Sequence, residues 1–323
     1  MTRGRLPDFF VIGVVKGGTT SLYTYLDQHP EIFVPRIKET NHFAAADIQH
    51  QYFLPTYAKD VDIDLNRYFK KGMPEVIHIA HVDSTEHYRQ LFDIEHNAKR
   101  IGDVSNSYMI CPSSAEAIHS HDPQSRIVVV LRNPISRAWS QYLMNIREAK
   151  VECNGLIEEF EHDRKRPHTG WGVSHQYLEL GHYAEQLNRY YELFPKDQVH
   201  VVLYEDYRKD PEGVLKRICH FLQVDEDFSF DFSEQRNRAS RPRSEGLNRA
   251  LVNTGILQTV KGIVPRSLRE KGKKLLYTEK GLPEMTEPER DYLIGYYQEE
   301  VDALEKLLGR QVKDLWPEFQ KEA

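Results

Sequence analysis

Phe9-Phe10-Val11-Ile12-Gly13-Val14-Val15-Lys16-Gly17-Gly18-Thr19-Thr20-Ser21 is the stretch that decides how this chain is read. Its apolar, β-rich first half predicts a buried strand over 9–14. Ser21-Leu22-Tyr23-Thr24-Tyr25-Leu26 predicts a helix over 21–28, closing before His29-Pro30 because proline disfavours helical geometry in the residue ahead of it. A strand that runs through a glycine turn into a helix aims several backbone N–H groups at one point. The helix dipole adds positive potential there, and Lys16 adds a full charge. The turn is therefore an anion cradle sized for phosphate or sulfate. It does not follow the Walker order G-x-x-x-x-G-K-[ST], because here lysine precedes the glycines. Taken alone, the motif also fits a tight turn whose threonines only cap the helix.

The chain has 323 residues, enough for one large domain or two small ones, and an ordinary globular balance of 40% hydrophobic and 28% charged residues. No stretch approaches a membrane span and Met1-Thr2-Arg3-Gly4-Arg5 lacks the apolar core of a signal peptide, so a cytoplasmic protein is expected. Cys111, Cys153 and Cys219 have no paired spacing, which argues against a disulfide framework and against a zinc site. A net charge of −6 gives no global reason to expect a nucleic-acid partner. Basic residues do gather locally, at 236–243 and 261–274.

Further along, strand and helix signals alternate, the mark of a parallel α/β sheet. Strands are expected at 9–14, 126–131 and 199–204, each continuously apolar as in strands covered on both faces, with weaker signals at 76–80 and 100–104. Helices are expected at 21–28, 135–146, 183–193, 211–221 and 287–308. The fourth has clear local grammar: Asp210 as N-cap, Pro211 in the first turn, then Val214, Leu215, Ile218, Phe221 and Leu222 on one face. This predicts a single domain over 1–323: a core over about 8–222, a polar segment over 225–246, and a helical C-terminal extension over 247–323. Ligands of open α/β sheets sit beyond the carboxyl ends of the strands, so segment 225–246 is either a lid over that edge or a surface loop.

A second anion signal follows the strand at 126–131. Asn133 is a good N-cap and Pro134 a good first helical residue. Arg132 then stands at the sheet's carboxyl edge, where a planar guanidinium can grip a phosphate with two bonds. Ser140, about two helical turns on, can add a hydroxyl. Arg132 also fits an ion pair closing a strand end, but two separately placed anion sites favour one ligand with two anionic groups.

These residues carry a family resemblance. Lys16-Gly17-Gly18-Thr19-Thr20-Ser21-Leu22 resembles the 5′-phosphosulfate loop of sulfotransferases that use 3′-phosphoadenosine 5′-phosphosulfate (PAPS), especially the branch of heparan sulfate and related bacterial enzymes. Arg132-Asn133-Pro134-x-x-Arg137-Ala138-x-Ser140-x-Tyr142 is similar to that family's 3′-phosphate motif. Gly181-x-Tyr183-Ala184-x-Gln186-Leu187 and Val202-Leu203-Tyr204-Glu205-Asp206-Tyr207-x-x-Asp210-Pro211 resemble its later landmarks.

The resemblance implies a P-loop-like fold with a central, mostly parallel sheet, and PAPS as co-substrate. Lys16, Gly17, Gly18, Thr19, Thr20 and Ser21 would hold the 5′-phosphosulfate, with Lys16 also countering charge on the leaving oxygen. Arg132 and Ser140 would hold the 3′-phosphate, with Arg241 or Arg243 reaching it or the adenine from the late basic loop. Pro35-Arg36-Ile37-Lys38-Glu39-Thr40-Asn41-His42-Phe43 resembles the catalytic segment, which makes Glu39 the general base and His42 the alternative base or the group that orients the acceptor. Asn41 lengthens the family's Lys-Glu-x-His spacing by one residue, and Val104 stands where relatives often carry a lysine. Sulfuryl transfer resembles phosphoryl transfer but moves a less charged group, so no metal is required. The acceptor would be a hydroxyl or amine, a glycan first, with a hydroxylated lipid or a carrier-protein-bound acyl chain as the alternative. A non-catalytic nucleotide-binding protein is the different-class reading; the absent Walker order counts against a P-loop kinase.

Overall fold

The computed structural model describes residues 4–94, 97–233, 241–242, 276–278 and 283–320. Seven strands come first along the chain: β1 (Phe9–Val11), β2 (Ile32–Phe33), β3 (Ile37–Glu39), β4 (Ile77–Ile79), β5 (Arg100–Val104), β6 (Arg126–Leu131) and β7 (Val199–Leu203). Five of them form one sheet in the order β2-β5-β1-β6-β7, with every neighbouring pair parallel. β3 and β4 pair with each other, also in parallel.

Successive side chains of a strand point to opposite faces, and the apolar strands use both. Phe10, Ile127, Val129 and Leu131 enter one buried cluster, while Phe9, Val11, Val128 and Val130 enter the other. Parallel neighbours need crossovers, and helices supply them. Helix Thr19–Leu26 covers the second face with Leu22 and Leu26, beside Val214, Leu215, Ile218 and Leu222 of helix Pro211–Leu222. The first face carries helices Pro134–Arg147 and Tyr183–Tyr191. Helix Glu287–Leu308 puts Leu293, Tyr297, Val301 and Leu304 into that same cluster, so this part of the C-terminal region completes the main core.

Local grammar explains most boundaries. Asn133 accepts bonds from the amides of Ile135 and Ser136, Asp210 from that of Gly213, and Thr286 forms a reciprocal capping box with Glu289. The ladder of β1 ends at Val11, earlier than the expected 14, yet the amides of Ile12 and Val14 still bond to the carbonyls of Val128 and Val130. The first helix begins at Thr19, two residues before Ser21, because Gly18 already makes the turn at φ +94°. The weak strand signal at 76–80 is realised as β4, but it pairs with β3 and stands outside the main sheet.

In the late basic region, β8 (Arg241–Pro242) pairs antiparallel with β9 (Tyr277–Thr278) and lies against helix Pro134–Arg147. Arg243 and the basic run 261–274 lie outside the described residues. Among the described residues no helix is long and apolar enough to cross a membrane.

Candidate active site

The carboxyl edge of the sheets collects the predicted side chains. The amide of Gly17 bonds to Val14 O at 2.8 Å, closing a turn in which Lys16 adopts φ +68°. Turns normally give that left-handed position to glycine or asparagine, so a lysine held there is strained. A Cβ on Gly17 would meet the carbonyl oxygens of Val14 and Val130 at 3.0 and 3.1 Å, and one on Gly18 would meet the Tyr204 ring at 3.1 Å. The loop thus needs both glycines. Gly18 is also the N-cap of the first helix and supplies no capping side chain, so the amides at Thr19 and Thr20 start the helix without a side-chain cap. Thr20 and Ser21 are half-buried beside them.

Lys16 Nζ rests 3.5 Å from the Met144 sulfur. Burial, reinforced by the Arg147 guanidinium, pulls its ammonium down to about 8. Arg132 Nη1 donates to the Lys16 carbonyl at 2.9 Å, which joins the two anion motifs into one site. The Arg132 guanidinium also lies 4.8 Å over the Tyr204 ring, and its own carbonyl accepts a bond from the Tyr183 hydroxyl. Its Nε is buried and has no hydrogen-bond partner, a donor with bonding capacity unspent. Burial lowers the proton affinity of this arginine below its usual range. Ser140 stands half-buried farther along helix Pro134–Arg147. Arg241 is placed in β8 against the same helix, and Arg243 is not among the described residues.

Glu39 ends β3 and is 3% exposed. Its Oε1 receives Lys38 Nζ at 2.5 Å and Asn106 Nδ2 at 2.8 Å. His78 on β4 comes within 3.8 Å of the same oxygen, with an imidazole that is largely exposed. Burial lowers the proton affinity of His78, and the neighbouring Glu39 carboxylate works against that shift. His42 stacks on Tyr88 at 4.0 Å and its Nδ1 donates to the Val82 carbonyl at 2.6 Å, bracing the turn after β3 against the segment after β4.

Beneath Glu39, the fully buried Asp103 accepts from Thr40 Oγ1 and the Tyr88 hydroxyl at 2.8 Å, from the Tyr108 hydroxyl at 2.7 Å and from Ser105 Oγ at 3.1 Å. Burial raises its proton affinity against the lowering effect of those four donors. Asp103 and Ser105 therefore lock the loop after β3 to the end of β5 from inside. Tyr177 and Tyr183 are buried in the core.

Sequence reasoning gave no role to Asn106, His78 or Tyr204. Asn106 sits where the sequence showed only a departure from a family pattern, at the end of β5. The signal for His78 was absent, because β3 and β4 are too short for a periodic pattern to reveal their pairing.

A parallel α/β sheet with linked cationic side chains at its carboxyl edge, and a buried carboxylate at the end of the separate β3–β4 pair, is an arrangement suited to an anionic ligand. The chain belongs to the sulfotransferase family of enzymes, whose model matches residues 7–228. It is 24% identical over 269 residues to human heparan sulfate glucosamine 3-O-sulfotransferase 6, covering 80% of this chain and 67% of that protein. It is 22% identical over 325 residues to the membrane-associated sulfotransferase kil1 of Dictyostelium discoideum, covering 77% of this chain and 62% of that one. The chain thus spans about two thirds of the length of these relatives. The crystal structure of a sulfotransferase from Alicyclobacillus acidocaldarius superimposes with a TM-score of 0.70 at 26% identity, over 97% of this chain and 99% of that one.

Proposed function

We propose that the protein transfers a sulfuryl group from PAPS to a hydroxyl or amine, with a carbohydrate as the first acceptor class to test. The observation that carries this reading is the bond between Arg132 and the Lys16 carbonyl, which makes one site of two anion grips. The residues fit the donor: an uncapped helix start, a lysine at the turn, and an orphaned Arg132 Nε–H that can donate to a phosphate oxygen.

Glu39 takes the proton of the acceptor as the acceptor oxygen or nitrogen attacks sulfur, and the bond from sulfur to the bridging phosphate oxygen breaks. Lys16 sets its ammonium against the charge on that departing oxygen. Lys38 and Asn106 fix the Glu39 carboxylate, and His42 holds the loop that carries it. Arg132 and Ser140, with Arg241 or Arg243, bind the 3′-phosphate. No metal enters these steps. A glycan acceptor is supported by the heparan sulfate relative; a lipid or a carrier-bound acyl chain is the alternative outcome. Cytoplasmic residence belongs to the same proposal and is supported by Cys111, Cys153 and Cys219, all free thiols.

The test is transfer from PAPS to a panel of neutral glycans, sulfated glycans, hydroxylated lipids and acyl carriers, read by mass spectrometry. A product 80 Da heavier, roughly the mass of SO3, is expected from the wild type. Glu39→Gln should lose about 10²–10⁴-fold in rate. If the wild type modifies some acceptor and Glu39→Gln matches it, the assignment of the base is wrong.

A further inference from the structure

His50, His81 and Asp83 meet outside the transfer site, each offering a ligand atom, and these atoms all lie within 4.8 Å of one another. We propose that these three residues bind a borderline divalent cation of the first transition row, with zinc the reference ion, and that the cation clips the segment 80–83 to the turn around His50.

The donor set selects the class. Two imidazoles and one carboxylate suit zinc, cobalt or nickel, while magnesium and calcium prefer oxygen ligands. The geometry is close to a three-ligand site. His50 Nε2 and Asp83 Oδ2 are 3.2 Å apart, about the edge of a tetrahedron built with metal bonds of ~2.0–2.1 Å. The distances to the His81 nitrogen, at most 4.8 Å, need to shorten toward that edge. The His50 and Asp83 side chains are about half-exposed and can make that movement.

His81 is the fixed ligand. One ring nitrogen, Nε2, shares a bond with the Tyr57 hydroxyl at 3.0 Å, and the other, Nδ1, is buried with no partner. A ligating histidine is commonly oriented by a hydrogen bond to its second nitrogen, and an orphaned buried nitrogen is a cost that coordination removes. Its ring is packed against His50, Phe53 and Tyr57, with centroids 5.0, 5.0 and 5.7 Å away.

The clip has a target. Segment 80–83 follows β4 directly and braces the Glu39 loop: Ala80 N donates to Glu39 O, Asn41 Nδ2 donates to Ala80 O, Val82 N donates to Thr40 O, and His42 Nδ1 donates to Val82 O. A cation bound to His81 and Asp83 would tie this brace to the 3₁₀ turn His50–Tyr52. It stiffens the support of the site and takes no part in group transfer.

The experiment uses the full chain, with any affinity tag removed and metals stripped by chelator. Cobalt chloride is titrated and followed by the visible absorption of low-symmetry cobalt; zinc chloride is then used to displace it. One equivalent of saturable cobalt, displaced by zinc, is expected, with zinc raising Tm and magnesium leaving it unchanged. His50→Ala and Asp83→Asn, both surface substitutions, should weaken cobalt binding by at least about tenfold and abolish the zinc-dependent rise in Tm. No saturable binding by the wild type, or unchanged affinity and Tm response in both variants, overturns the proposal. Equal stabilisation by magnesium also overturns it, because an imidazole site would not respond that way.

Discussion

Lys16 does two jobs that pull in different directions. Its backbone occupies a left-handed position that glycine would fill at less cost, and its side chain is buried enough to lower the ammonium to about 8. Because the pKa is lowered, the ammonium is present below about pH 8 and lost as pH rises through that value. If transfer needs the charge, kcat/KM should fall on the alkaline side near pH 8. The limb in kcat should lie higher, because a bound anionic donor favours the charged form. A flat profile from pH 7 to about 9.5 would separate Lys16 from the chemistry. Lys16→Ala should cut kcat by about 10²–10³-fold with a smaller effect on nucleotide affinity. Arg132→Ala should do the reverse, weakening adenosine 3′,5′-bisphosphate by at least about tenfold, as the loss of a charge-assisted bond worth ~1.5–3 kcal/mol requires. Equal effects on both parameters would contradict the division of roles.

At the level of elements, the short β3–β4 pair matters as much as the main sheet, because it presents Glu39. What holds it is the carboxyl of Asp103, which accepts from four hydroxyls on three separate stretches of chain. Asp103→Ala leaves those hydroxyls buried without their acceptor. It should lower the free energy of unfolding by about 3 kcal/mol or more, seen as a lower urea midpoint with an unchanged slope. The long strands and their helices were legible from sequence because continuous apolar runs and capping residues are local signals. Arg126–Leu131 and Glu287–Leu308 match the expected spans residue for residue. The pairing of β3 with β4 was not legible, since three residues carry no period and the partners are separated by helices Pro55–Val61 and Leu65–Lys70. For the same reason Lys16, Glu39 and Arg132 could be read one at a time, whereas His78 and Asn106 emerge only once strands distant in sequence lie side by side.

Across the whole molecule, residues 16, 106, 132 and 204 each follow a strand of the main sheet at its carboxyl end, and Glu39 ends β3 of the separate two-stranded pair. The C-terminal helix then buries Leu293, Tyr297, Val301 and Leu304 against the helices behind that edge. Truncation before Thr286 should therefore cost folding, seen as loss of the cooperative thermal transition, and not merely trim an appendage. The Lys16 cradle and the Arg132 grip are proposed to form one donor site for a nucleotide with phosphates at both the 3′ and 5′ positions. Calorimetric titration with adenosine 3′,5′-bisphosphate, set against ATP, tests it most directly. One bisphosphate bound per chain is expected, with ATP weaker by at least about tenfold because it lacks the 3′-phosphate assigned to Arg132. Tight binding of ATP with no response to the bisphosphate would contradict it.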